Sequence, residues 1–146
     1  MRIGKDYIGV GVGAIVLNDE GKVFLAQRGP QAVNERGCWE FPGGRVEFGE
    51  KLGDAIQREF LEKYGMEIEV SELFSVSDHL LPDEEQHWVS PTFLARHVGG
   101  EPTIREPKKC TAIGWFSFSE VPAPLSVISQ DDLHAYLEKY GLEEDM

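Results

Sequence analysis

The stretch Gly43–Met66, GGRVEFGEKLGDAIQREFLEKYGM, joins a glycine turn to a segment crowded with carboxylates. Apolar residues at Leu52, Ala55, Ile56, Phe60 and Leu61 recur at helical spacing, which predicts a helix over Lys51–Tyr64 capped by Gly65. On that helix Glu59, Glu62 and Lys63 stand at i, i+3 and i+4 and project from one face. Arg58 is turned by about 100° from Glu59, which predicts that it points away and anchors a neighbouring loop. Paired carboxylates are the hard oxygen donors that magnesium takes beside a substrate phosphate. Glu50 lies about two turns before Glu59, and a loop or strand entering the helix can bring Glu50 and a Gly44 carbonyl over the same face. Pro42-Gly43-Gly44 is expected to break any regular element, and bare glycine backbone lets a metal approach closely.

Working outward, GVGVGAIVLN (9–18) and KVFLAQR (22–28) read as two strands around the turn DEG. GPQAVNERG (29–37) reads as a polar loop. MEIEVSELFSVSDHL (66–80) alternates like one or two strands, LPDEEQ is an acidic loop, and HWVSPTFLARHV (87–98) is a strand in which Pro91 argues for an edge or a bulge. After the loop GGEPTIREPKK, AIGWFSF is a short strand with Trp115 and Phe116 in the core. SQDDLHAYLEKYG is a closing helix capped by Ser129 or Asp131. The expected architecture is a single α+β domain over residues 1–146, a sheet core with one helix in the middle and one at the end.

The central stretch resembles the Nudix box. That pattern is Gly, five residues, Glu, seven residues, Arg-Glu, an apolar residue, any residue, Glu-Glu, any residue, Gly and an apolar residue. Gly44, Glu50, Arg58, Glu59, Phe60, Glu62, Gly65 and Met66 match, eight of its nine defined positions, and Lys63 alone departs, replacing the second glutamate of the pair. VGVGAIVLN, VFLAQR and CWEFPGG resemble the strands and turn before the family's box. EPKKC…WF and SEVP resemble the tail of its small nucleotide-diphosphatase members, so the likeness covers essentially the whole chain. The resemblance implies an α/β/α sandwich with a mixed central sheet. It also implies metal-assisted hydrolysis of a nucleoside diphosphate linked to another group, with Mg2+ as cofactor and Mn2+ as an alternative.

Residue by residue, the likeness makes Glu59 and Glu62 metal ligands and catalytic groups, and Glu50 a ligand or an orienting group. Arg58 becomes the structural arginine of the catalytic set, and the Gly44 carbonyl a further ligand. Glu106, in REPKKC, sits where the family supplies a late loop carboxylate, with Glu84 and Glu85 as rivals and Glu47 as a strand position facing the site. Arg28 is placed to reach a phosphate, and Trp88, with Trp39 and Phe41, to stack on a base unless these rings belong to the core. His79 and His87 flank the acidic loop, near enough in sequence to touch substrate. Glu59 is the first choice of general base where metal leaves it free, and a loop glutamate the second.

Lys63 admits two readings. With Glu59 at i, i+4 it forms an ordinary solvated ion pair, worth about 0.2–0.5 kcal/mol. Within the box it trades a carboxylate for an ammonium, which detunes a metal site and offers a direct contact to substrate phosphate.

A net charge of −12 over 146 residues repels phosphate backbones, so nonspecific nucleic-acid binding is not expected. No apolar run approaches the length of a membrane span. The N-terminus reads as a hairpin rather than a signal peptide, because Asp6 and several glycines interrupt its apolar run. Cys38 and Cys110 have neither metal nor disulfide spacing, so a cytoplasmic protein with two reduced thiols is expected. The expected partner is a small nucleotide. A nucleoside triphosphate, modified or not, cut to monophosphate and pyrophosphate comes first; ADP-ribose, nucleotide sugars and dinucleoside polyphosphates follow. A nucleotide-binding domain impaired by Lys63 is the reading of another class, and the oligomeric state, a homodimer included, stays open.

Overall fold

In the computed structural model, which describes residues 1–141, the glycine-rich strand β1 (Gly9–Leu17) runs through the middle of the sheet. It forms a hairpin with β2 (Val23–Arg28) and lies parallel to β6 (Gln86–Gly99). β3 (Trp39–Glu40), β5 (Glu67–Leu81) and β7 (Cys110–Phe116) add antiparallel to β2, β6 and β2 respectively. The result is a seven-stranded mixed sheet in the order β3-β2-β1-β6-β5, with β4 (Gly43–Arg45) paired to β1. α1 (Leu52–Tyr64) follows β4, and α2 (Val127–Tyr140) closes the described chain.

Strand alternation sends β1 and β2 side chains to both faces of the sheet, and each face builds its own core. Val12, Ala14, Val16, Phe24 and Ala26 pack with Ala55, Ile56, Phe60 and Tyr64 of α1. Ile15, Val23 and Leu25 pack on the opposite face with Phe41 and with Tyr136 of α2. The expected α/β/α sandwich is therefore what forms. Phe24 is the hub of the first core, with ring centroids 5.2 Å from both Tyr64 and Trp115 and 6.1 Å from Phe60. Edge-on packing of that kind fixes the rotation of α1 about its axis. Leu52 and Leu61, counted in the apolar stripe, are exposed, and Glu59 lies buried beside Phe60 instead.

Three local expectations need correction, and one open choice is decided. Pro42 ends β3, but Gly43 and Gly44 are not irregular: they pair with Gly13 and Val12 of β1. Pro91 lies in an inner strand rather than at an edge. It is tolerated because the β1–β6 pairing lapses at Ser90 and Pro91, where a missing N–H forfeits no ladder bond to β1. The cap of α2 is Ser126, and Ser129 sits inside the first turn, accepting the Phe41 N–H at 3.0 Å. Residues 67–81 form one long strand, kept continuous by register shifts at Val70/Glu72 and Leu73/Ser75. Among the described residues, no helix is long and apolar enough to cross a membrane.

Gly43 is obligatory for this packing, since a Cβ there would fall 1.7 Å from the Val12 carbonyl oxygen. Gly43→Ala is expected to cost about 2–3 kcal/mol by overpacking and to lower Tm by roughly 5–10 °C in thermal denaturation. Gly53→Ala, in the first turn of α1 with open space around it, is expected to hold or raise Tm.

Candidate active site

A cleft of about 680 Å3 runs between the Gly43–Glu47 segment, one flank of α1 and the loop that carries Glu106. Glu59 stands at its floor. The residue is 8% exposed, and its carboxylate is held from three sides. Oε2 accepts the Arg45 N–H at 3.1 Å and lies 3.4 Å from Arg58 Nη1; Oε1 faces Lys63 Nζ at 3.6 Å. The bare Cα of Gly44 covers it, and a Cβ there would come within 2.1 Å of Glu59 Cδ. Glycine is therefore required at 44 by the carboxylate itself.

Arg58 does not point away from this centre. Its stem curls back over the helix face, and the guanidinium reaches every carboxylate of the motif. Nε donates to Glu50 Oε2 at 2.5 Å, Nη2 to Glu50 Oε1 at 2.9 Å, and Nη1 to Glu62 Oε1 at 3.1 Å. Nη2 also donates to the Arg45 carbonyl at 3.0 Å, which is the loop anchoring expected of it. Backbone direction alone misplaced this side chain, because three rotatable stem bonds let the fork swing across a helical turn. Glu50 is thereby gripped bidentately, and the Glu47 N–H donates to it as well at 3.0 Å. The Arg58 guanidinium first, and that amide second, hold the Glu50 carboxyl down at about 2.

Lys63 donates from Nζ to the Gly43 carbonyl at 2.7 Å. It is Gly43, not Gly44, whose carbonyl is turned to the helix; the Gly44 oxygen lies on the Gly11 side, over β1. Glu62 is the outermost carboxylate, its side chain 61% exposed. Glu106 is exposed on the cleft wall, in a loop pinned to the C-terminal end of α1. Arg105 makes that attachment, donating from Nη1 to Leu61 O at 3.1 Å and from its N–H to Lys63 O at 3.3 Å. Glu84 instead pairs with Arg36 at 3.3 Å, and neither it nor Glu85 lines the cleft. Glu47 is an exposed rim residue in the turn before Glu50, not a strand position.

The far half of the cleft is polar. Arg28 lines it, but its guanidinium is already engaged by both oxygens of Glu40, at 3.0 and 3.1 Å, and by Asn34 O at 2.8 Å. Trp88 is 8% exposed and its Nε1 donates to Gln86 Oε1 at 2.8 Å, so only part of the ring reaches the cleft. His79 Nε2 stands 3.1 Å from Glu35, while His87 pairs outside the cleft with Asp78. Phe41 is core, as one of its two readings had it, and Trp39 packs against the same core.

Sequence reading missed Asn34, Glu35, Glu40 and Asp132 in this half. Asp132 is buried, accepts hydroxyl hydrogen bonds from Ser75 and Thr92 at 2.7 Å each, and has its carboxyl pushed up by burial. Its only local signal was SQDD, a pattern that a helix cap explains equally well.

The donor chemistry fits a divalent cation. Glu50, Glu59, Glu62 and the Gly43 carbonyl are all hard oxygens, and Gly44 leaves the backbone uncovered. Among the described residues, however, no three acidic, imidazole or thiol groups converge as a finished cage. Arg58 and Lys63 occupy the space between the carboxylates.

The Arg58–Glu50 pair predicts a pH dependence. A depressed carboxyl adds stability that is complete above its unfolded value near 4.5 and is lost as pH falls through about 2. Carboxyl NMR is expected to show Glu50 still ionised at pH 3, and Arg58→Gln to return its midpoint toward 4.5.

Comparison with known proteins gives the chain a family. Residues 8–137 match the NUDIX domain model. The human 8-oxo-dGDP phosphatase NUDT18 is 33% identical over 125 residues, covering 83% of this chain and 35% of the relative. The ADP-ribose pyrophosphatase of Methanocaldococcus jannaschii is 31% identical over 86 residues, 59% of this chain and 50% of that protein. The crystal structure of the MutT NUDIX hydrolase from Burkholderia pseudomallei superposes with a TM-score of 0.81 at 35% identity, covering 89% of this chain and 98% of that one. The chain spans about a third of the length of the first curated relatives it matches. A domain match over nearly its whole length, on a fold shared with a solved relative at 35% identity, makes this chain a member of the NUDIX family.

Proposed function

We propose that the chain is a divalent-metal-dependent hydrolase of nucleoside diphosphate derivatives, with nucleoside triphosphates, oxidised or otherwise modified bases included, as its first substrate class. The observation that carries this is the buried Glu59 carboxylate, lodged at the cleft floor against bare glycine backbone while Arg58 gathers Glu50 and Glu62 beside it. A purely structural role leaves unexplained why a carboxylate is buried on α1 with two more drawn to its side.

Glu50, Glu59, Glu62 and a glycine carbonyl of β4 make up the oxygen set from which divalent ions would draw their ligands, with Glu106 adding a carboxylate from the cleft wall. A bound Mg2+ or Mn2+ supplies charge neutralisation for the phosphoryl oxygens and an acidified water. Arg58 orients Glu50 and ties the Arg45 carbonyl to the helix, so the ligands keep their spacing. Both oxygens of Glu59 already face donors or cations, so its lone pairs are occupied. Proton acceptance therefore falls to a wall carboxylate, Glu106 or Glu47. At the far end Asn34, Glu35, His79 and Asp132 offer both donors and acceptors to a nucleobase. The human relative's name, an 8-oxo-dGDP phosphatase, supports a modified nucleotide; the archaeal relative's name supports ADP-ribose as the second candidate.

The test is product release from a panel of tri- and diphosphates, 8-oxo forms included, ADP-ribose, nucleotide sugars and dinucleoside polyphosphates, with Mg2+ or Mn2+. Metal-dependent release of a monophosphate is expected, and Glu59→Gln should lower it on the order of 100-fold. No turnover of any compound, with nucleotide still bound, would replace the enzyme by a nucleotide-binding domain.

A further inference from the structure

Lys63 stands where the family's pattern has a glutamate, and its ammonium has gone to oxygens that a metal would use. Nζ lies 2.7 Å from the Gly43 carbonyl and 3.6 Å from Glu59 Oε1. Those two oxygens cannot retreat from it. Gly43 is clamped against Val12 and Gly13 of β1, and Glu59 is clamped between Gly44 and the Arg45 N–H. The lysine side chain is only 33% exposed, so the contact is no loose surface pair. Glu50, Glu59 and Glu62 face Arg58 and Lys63, which leaves one net negative charge; a carboxylate at 63 would leave three.

We infer that the Lys63 ammonium is a built-in cation occupying one metal position of the site, so that the nucleotide-free chain holds one divalent ion fewer than it would with a carboxylate at 63. The inference rests on the reading of the acidic helix face as the metal site. An ammonium neutralises Glu59 and satisfies the Gly43 carbonyl, but as a weaker, fixed charge it cannot acidify water. It therefore keeps the floor of the cleft assembled without metal, and confines the exchangeable ion to the Glu50–Glu62 side.

Manganese alone is the probe. The whole chain, free of nucleotide, is titrated with Mn2+ while unbound ion is followed by electron paramagnetic resonance, for wild type, Lys63→Glu, Lys63→Met and Lys51→Glu. Lys63→Glu is expected to bind one more Mn2+ per chain, or to bind it at least tenfold more tightly. Lys51→Glu, the same charge change at the exposed start of α1, should match wild type within about twofold. Equal stoichiometry and affinity for wild type and Lys63→Glu would overturn the inference, and so would an equal gain in Lys51→Glu. Should Lys63→Glu fail to fold by circular dichroism, Lys63→Met decides. Its affinity should rise severalfold as the ammonium leaves, and no rise would count against the inference. Because the readout is ion binding, a wild type that hydrolyses nothing would sink the enzyme reading while this one is still judged on its own.

Discussion

A carboxylate withdrawn from water is costly unless donors meet it, and the site is organised around meeting that demand for Glu59. The Arg45 N–H, the Arg58 guanidinium and the Lys63 ammonium approach it from separate directions, while Gly44 leaves the space they need. Each of these groups is in turn tied to β4 or its carbonyls. The strand, the helix and the motif are thus one hydrogen-bonded unit, and a change at Gly43 or Gly44 is felt at the carboxylate.

Packing sets the angle at which this unit is presented. Phe24 meets Tyr64 edge-on and Phe60 at a tilt, and the loop before β7 is fastened to the end of α1 through Arg105. The first contact fixes which flank of α1 looks into the cleft. The second brings Glu106 to the facing wall, more than forty residues along the chain from Glu62. On the other face, Ser129 takes the Phe41 amide and so fastens α2 to the segment that leads into β4. Both helices therefore brace the same short glycine strand.

Charge explains why three carboxylates can stand so close together. Arg58 and Lys63 lie among the carboxylates and hold them apart from one another, which removes the repulsion that three neighbouring anions would otherwise carry. The polar half of the cleft is settled in the same manner, with Arg28 matched to Glu40, His79 set against Glu35 and Asp132 against two hydroxyls. Preorganisation of this kind fixes the spacing of the charged groups before anything enters the cleft.

Local pattern was enough for the sandwich, the carboxylate helix and its Gly65 cap, because periodicity and a left-handed glycine are properties of neighbouring residues. It was also enough for the eight matching positions of the box, whose spacing is covalent. It was not enough for the direction of Arg58, for the pairing of Gly43 and Gly44 with β1, or for the inner position of Pro91. Each of those depends on a partner strand or on rotamers that sequence spacing does not constrain. The same holds for Asn34, Glu35, Glu40 and Asp132, which come from three separate segments and meet only when the sheet closes. The sequence by itself determined that Lys63 replaces a carboxylate. Only the tertiary structure decided where its charge goes, because the Gly43 carbonyl that receives it is twenty residues away and is aimed by β1.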